Sequence, residues 1–193
     1  FRTKNRKDYT FPPPNKTLCD LVMENNRSCH AIGKIADIFS NRGISTSVSG
    51  FSDDALFYKM IDIIKKAKNG DLIFANFVEF DSLYGHRRDV AGFAAALERF
   101  DLKLVNLLEI INPNDFLIIT ADHGNDPTFK GTDHTREKVP VLMVGNYAQK
   151  GNNGNIVFSD VGATMAAFLN LSGKLKGTNI FNDNNKLEKK CKT

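Results

Sequence analysis

Between residues 72 and 120 the sequence sets an apolar run, a long helical stripe and a second apolar run in direct succession, an order few architectures can accommodate. Leu72 to Val78 has the length and texture of a strand buried on both faces. From Asp89 onward, Phe93, Leu97, Phe100, Leu104, Leu107 and Ile111 recur at intervals of four, three, four, three and four, the spacing of one helical face. Asn112-Pro113 stops that helix, because proline cannot continue the hydrogen-bond ladder. Phe116 to Thr120 and Pro140 to Val144 read as further buried strands, and Asp160 to Leu169 as a helix capped by Ser159 or Asp160. Upstream, Thr17 with Asp20 resembles a capping box that opens a short helix, followed by a strand from Cys29 to Gly33 and a segment from Ile35 to Phe39. After a Ser/Thr-rich stretch, Ser52 can cap a helix over residues 53 to 68, which carries Leu56, Met60, Ile63 and Ala67 on one stripe and ends at Asn69-Gly70. Strands alternating with helices predict an α/β fold, a mainly parallel sheet with helices on both faces.

Pro12-Pro13-Pro14 forms a stiff connector, so residues 1–14 are assigned to a neighbouring domain and its linker, and residues 15–193 to the α/β core. A chain of 193 residues with 41% hydrophobic content buries enough surface to fold without disulfides or a structural metal. Cys19, Cys29 and Cys191 are odd in number and lack a CxxC spacing, so neither a disulfide framework nor a thiolate zinc site is indicated. No apolar run approaches a membrane span and no charged-then-apolar leader opens the chain, so a cytoplasmic location without a membrane partner is expected. The net charge of +4, much of it at the two ends, is too small for a nucleic-acid footprint. Beginning at Phe1 inside a basic polar stretch, the sequence reads as the middle of a longer protein.

In open α/β sheets, sites form beyond the carboxyl ends of strands. Two such places carry unusual residues: Glu79-Phe80-Asp81 through Tyr84-Gly85-His86-Arg87-Arg88, and Ala121-Asp122-His123-Gly124-Asn125-Asp126 followed by Thr132-Asp133-His134-Thr135-Arg136-Glu137. Asp81, His86, Asp122, His123 and His134 offer carboxylate and imidazole donors without thiolates. One divalent ion is satisfied by three or four protein ligands plus water, so five donors suit two ions better than one. Two ions about 3.5 to 4 Å apart would form a clamp for phosphoryl transfer. Gly85 and Gly124 would allow the tight turns that let donors close in sequence converge. If Glu79 and Asp81 continue the strand they point to opposite faces, favouring one of them as a ligand. Arg87 and Arg88 suit either anion binding or structural ion pairing. His30, inside a strand, reads as a core or sheet-face histidine.

The runs Asn76-Phe77-Val78-Glu79-Phe80-Asp81 with Tyr84-Gly85-His86-Arg87-Arg88-Asp89, and Thr120-Ala121-Asp122-His123-Gly124-Asn125-Asp126-Pro127-Thr128 with Gly131-Thr132-Asp133-His134-Thr135-Arg136-Glu137, resemble bacterial-type phosphopentomutases of the alkaline phosphatase superfamily. Gly33-Lys34-Ile35 with Asp37-Ile38-Phe39, and Asp160-Val161-Gly162-Ala163-Thr164, extend the likeness over nearly the whole chain. The resemblance implies two manganese ions, one held by Asp122 and His123 and the other by Asp81, His86 and His134, although the donor types alone do not exclude zinc. It implies interconversion of ribose or deoxyribose 1-phosphate and 5-phosphate through a phosphorylated threonine, with Arg2 and Arg6 at the close of a cap domain touching the sugar phosphate. The threonine and a further aspartate ligand belong, by the same resemblance, to an amino-terminal segment preceding the cap, absent from this chain. No catalytic residue is therefore nominated here, that segment becomes an expected partner, and the isolated chain is expected to be inactive. Other expectations compatible with the motifs are a different mutase or phosphohydrolase of the superfamily, or a non-catalytic metal-binding fragment.

Overall fold

The computed structural model describes residues 10–181. These divide into two units, one built from the described residues up to Ser49 with Lys66–Asn76 and the residues from Lys150 on, the other from Gly50–Lys65 and Phe77–Gln149. Arg2, Arg6 and Cys191 lie outside the described residues.

In the first unit, β1 (Cys29–Ile32), β2 (Thr46–Val48) and β3 (Leu72–Ala75) form a parallel sheet in the order β2-β1-β3. His30 faces Thr46 on one side and Ile73 on the other. Helix α1 (Leu18–Glu24) opens on the expected capping box: Thr17 N–H donates to the Asp20 carboxylate at 2.7 Å, and Asp20 N–H to the Thr17 hydroxyl at 3.4 Å. Cys19 and Val22 of α1, Cys29 of β1, Leu72 of β3 and Leu169 form the buried centre of this unit. Both described cysteines are free and buried. The short helix α2 (Ile35–Ile38) seals Ala31 with Ile35 and Ala36. His30 behaves as a sheet-face histidine, with Nδ1 at 2.8 Å from the Thr46 hydroxyl and Nε2 at 3.3 Å from the Asp71 carboxylate. Thr10 and Pro13 are tied to this unit through the Asp37 carbonyl and the Arg42 guanidinium.

In the second unit, α3 (Asp53–Ile64) starts on Ser52, whose hydroxyl accepts from Ala55 N–H at 3.2 Å. A π-helix (Phe80–Gly85) is followed by α4 (Val90–Ile110), capped by Asp89 and stopped before Asn112-Pro113 as the sequence predicts. Phe57 from α3, Phe77, Phe80 and Phe100 pack with ring centroids 5.7 to 6.2 Å apart, and Phe93 joins through Phe80. Strands β4 (Leu117–Thr120) and β5 (Val141–Val144) pair antiparallel, Thr120 opposite Val141.

The structure departs from the sequence reading at five points, each with a local cause. Strand β3 ends at Ala75, three residues early: Asn76 N–H makes the last rung to the Ile32 carbonyl, and Gly33 then turns β1 away with φ +74°. Helix α3 stops at Ile64, since Lys68 N–H is taken by the Asp71 carboxylate at 2.8 Å, which folds the lysine-rich stretch into a turn. The pair β4–β5 is antiparallel because no helix crosses between them, and a parallel return needs such a crossover. Neither strand is buried on both faces; Leu142 and Val144 of β5 are 56% and 39% exposed. Helix α5 (Phe158–Phe168) begins before Ser159, with Asp160 acting from its third position, where its carboxylate accepts from Val157 N–H and Thr178 N–H.

Burial pushes the Asp20 carboxyl up, but the Thr17 N–H and hydroxyl and the Arg42 guanidinium outweigh it and hold this group below the usual carboxylate range. A carboxyl depressed on folding stabilises the native state above its unfolded value of about 3.9, and that contribution is lost as pH falls through the folded value. Asp20→Asn should therefore lower stability by about 1 to 2 kcal/mol at neutral pH. It should also flatten the acid limb of the thermal midpoint below about pH 4. Melts followed by circular dichroism from pH 3 to 7 measure both.

Candidate metal centre

The strand-to-helix passage after Asn76 does not continue as a strand. Glu79 is helical, and Phe80–Gly85 winds as a π-helix whose i→i+5 bond, His86 N–H to the Asp81 carbonyl at 2.9 Å, joins two of the candidate donors directly. The expected alternation of Glu79 and Asp81 across a strand is thus replaced. In an α-helix residues five apart sit about 140° apart around the axis, whereas the wider π-turn brings Asp81 and His86 to one side.

The second set of donors lies between β4 and β5. Asp122 and His123 leave β4, and His134 approaches β5. An isolated antiparallel bridge between Gly124 and Thr135, with Thr135 N–H donating to the Gly124 carbonyl at 3.0 Å, draws the two limbs together. A Cβ on Gly124 would stand 2.1 Å from Glu137 Oε2 and 2.9 Å from the Thr135 carbonyl oxygen, so only glycine admits this bridge. Thr135 is buried, its hydroxyl donating to the Glu137 carboxylate and accepting from Asp126 N–H, both at 2.6 Å.

These two limbs place Asp81 between two imidazoles. Asp81 Oδ2 is 3.2 Å from His86 Nε2, and Oδ1 is 3.2 Å from His134 Nε2. One donor atom from each of the three residues falls within 4.8 Å of the others. His86 Nδ1 lies 2.5 Å from the Thr132 carbonyl oxygen, which can only accept, so Nδ1 carries the proton. The other ring nitrogen, Nε2, faces the carboxylate; without a proton it and the carboxylate oxygen are two acceptors that a cation between them would reconcile, as for a metal ligand oriented by its outer hydrogen bond. His134 stacks between neighbours, its centroid 3.6 Å from His123 and 4.8 Å from His86. Asp122 and His123 form a separate pair, Oδ2 to Nε2 at 3.6 Å, with Asp122 largely exposed. Of the five expected donors, three therefore converge on one point, His123 lies against them, and Asp122 sits outside the cluster.

Residues beyond the five fix this geometry. Asn125 Nδ2 donates to Asp81 Oδ1 at 2.6 Å and holds one carboxylate oxygen in place. Gly85 is required for that approach, since a Cβ would stand 2.5 Å from the same nitrogen. Arg88 lies inward with φ +55°. Its Nε donates to the Gly131 carbonyl at 2.5 Å. One terminal nitrogen reaches the Gly85 carbonyl at 3.1 Å, Asn125 Oδ1 at 2.6 Å and the Asp126 carbonyl at 2.8 Å, and the other reaches the Asp133 carbonyl at 2.6 Å. Arg88 thus holds backbone carbonyls and an amide oxygen, a role different from the anion binding or ion pairing expected of it; Arg87 is exposed. Asn125 and the clamping role of Arg88 escaped the sequence reading. The adjacency of Arg88 to His86 was the only local signal, and Asn125 stood unmarked inside the Asp122–Asp126 run.

Arg88→Lys keeps the charge but offers neither the planar fork nor the reach for five acceptors. It should cost about 2 to 4 kcal/mol. Urea unfolding should show a lower midpoint, and trypsin should cut after Lys130 faster than in the unsubstituted chain.

Two relatives are phosphopentomutases: that of Legionella pneumophila (strain Corby) is 50% identical over 175 residues, 90% of this chain and 43% of its own length, and that of Sinorhizobium medicae is 50% identical over 171 residues, 88% and 42%. This chain thus spans about two-fifths of the relatives it matches. Among solved structures, the PH0037 protein of Pyrococcus horikoshii superposes with a TM-score of 0.61 at 17% identity, over 79% of this chain and 52% of that one, a likeness of fold. Residues 24–173 match the metalloenzyme superfamily, a span that contains every donor gathered around Asp81, and the chain belongs to that superfamily.

Proposed function

We propose that this chain is the metal-holding portion of a phosphopentomutase, which interconverts ribose or deoxyribose 1-phosphate and 5-phosphate. Asp81, His86 and His134 hold one divalent cation; Asp122 and His123 are ligands to a second, completed by groups outside this chain. Manganese suits the carboxylate and imidazole donors. The observation that carries the reading is the convergence of the Asp81 oxygens on His86 Nε2 and His134 Nε2, with the His86 Nδ1 proton already committed to Thr132.

When bound, such cations neutralise phosphoryl charge and orient the reacting oxygens. This chain's own residues fix where that can happen. Thr132 sets the His86 tautomer, Asn125 fixes one oxygen of Asp81, and Arg88 ties the loop before His134 to the turn before His86. Two hydroxyls beside the donor-bearing segments are engaged elsewhere: Thr120 donates to the Pro140 carbonyl at 2.9 Å, and Thr135 is buried between Glu137 and Asp126. We assign the phosphorylated threonine to the amino-terminal segment that the family resemblance implies. On this reading the 193-residue chain alone is inactive, residues 1–14 close a cap domain, Arg2 and Arg6 contact the sugar phosphate, and the enzyme acts in the cytoplasm.

Isothermal titration of the chain with manganese should give measurable binding, weakened at least tenfold by His86→Ala and by His134→Ala. Unchanged affinity in both variants would remove the assignment. With ribose 1-phosphate, the chain alone should show no 5-phosphate above background in a coupled assay; clear turnover would place the phosphoryl-carrying group within these residues.

A further inference from the structure

Asp53 is the first residue of α3, whose N-cap is Ser52. Its two carboxylate oxygens accept from consecutive peptide N–H groups far along the chain, Val78 at 3.0 Å and Glu79 at 2.9 Å. Those groups lie where the chain turns into the π-helix, and Glu79, at the head of that helix, makes no side-chain cap of its own. Asp81 follows within the same turn, in which Ser82 N–H already bonds the Val78 carbonyl at 2.9 Å.

We propose that Asp53 is a positioning residue for the cation site: by gripping the Val78 and Glu79 peptides with both carboxylate oxygens it sets where the Asp81 carboxylate stands relative to His86 and His134. This rests on the reading of those three residues as ligands. A rigid grip at this point matters because a displacement of about 1 Å in a ligand is enough to degrade a site.

Burial is the main cause that pushes the Asp53 carboxyl up to about 6; the Glu79 and Val78 N–H groups oppose it, while the Glu79 and Asp54 charges add to it. The groups that line the cleft around Asp53 and can bear on its charge are Asp54 from α3, Glu79 and Tyr84 from the π-helical turn, and Arg99 and Lys103 from α4. Lys103 is engaged by Asp54 and Arg99 donates to the Tyr84 hydroxyl at 3.1 Å, so neither cation is shown paired to Asp53. A carboxyl whose folded value exceeds its unfolded one, about 3.9, favours the native state at low pH, and that contribution disappears as pH rises through the folded value. Above about pH 6 the ionised carboxylate therefore adds none of that low-pH contribution to the fold.

The test uses the full chain with manganese as the probe. In amide NMR of the unsubstituted chain, Val78 and Glu79 should titrate together with a midpoint near 6. Asp53→Asn, which keeps the shape but gives up one acceptor, should abolish that titration and weaken manganese binding about tenfold at pH 7.5, with the fold retained by circular dichroism. Asp54→Asn, the same charge loss one residue along, should leave affinity within twofold. Affinity within twofold in Asp53→Asn, equal weakening in both variants, or loss of structure in Asp53→Asn would each overturn the positioning role while the ligand reading stands. Failure of the unsubstituted chain to bind manganese would overturn both, even with the amide titration present.

Discussion

A loop can hold a cluster of side chains in place only if something other than a strand ladder or a helix fixes its backbone, and here the largest share of that constraint falls on one guanidinium. Arg88 faces four peptide carbonyls, at Gly85, Asp126, Gly131 and Asp133, and the Asn125 side chain. Carbonyls in an irregular segment carry no intrinsic partner, and a partly buried one left unmet costs free energy comparable to a lost hydrogen bond. An arginine has five N–H donors and no acceptor, so it satisfies such a collection without introducing a new unmet group. The left-handed φ of +55° at Arg88 is the local expense of aiming the side chain back over its own turn. The clamp reaches Asn125, and through it Asp81, so the same interaction that closes the loop also sets the orientation of the central carboxylate.

How much of this was legible in the sequence follows from which forces are local. Capping signals are local, and Thr17 and Ser52 act as their spacing implies, while the cap expected at Ser159 or Asp160 falls at Val157. The apolar stripe of α4 is likewise a property of a short window, and the helix ends where proline forbids its continuation. Strand ends are different. Whether β3 reaches Val78 depends on how far β1 runs beside it, and on Asp53 taking the Val78 and Glu79 N–H groups; neither is visible between residues 72 and 78. The same distant carboxylate explains why Glu79 and Asp81 do not alternate across a pleat: the backbone is already helical at Glu79. Of the site, residue spacing alone yields the donor types, and the division into two groups enters only as what the family resemblance implies. His86 and His134 meet at Asp81, whereas Asp122 and His123 pair with each other, a distinction created by the π-helical turn and the Gly124–Thr135 bridge and by nothing in the spacing alone.

Glycine marks the points where this folding tolerates no side chain. Gly85 and Gly124 have ordinary backbone angles here, so their requirement is one of space: Asn125 occupies the position a Cβ would take at the first, and Glu137 with the Thr135 carbonyl at the second. Sequence inspection assigns both to tight turning; the structure assigns them to close approach. The difference has chemical content. A turn glycine can be exchanged for any residue that accepts its dihedral angles, while an approach glycine is fixed by the partner that fills the vacancy.

The antiparallel pairing of β4 and β5 has a consequence for the site as well as for topology. Had these strands been parallel, the segment after Thr120 would have needed a crossover to the far end of the sheet, and Asp122 with His123 would have stood far from His134. Because Thr120 pairs with Val141, the segment leaves and re-enters the sheet at one edge, and all three residues stay at that end. The Gly124–Thr135 bridge then subdivides the excursion, leaving a shorter loop whose carbonyls at Gly131, Thr132 and Asp133 turn inward to Arg88 and His86. Loop-closure entropy grows only slowly with length, so the long excursion itself is inexpensive. What is costly is giving a loop of that length a single conformation, and the bridge, the guanidinium and the imidazole share that task.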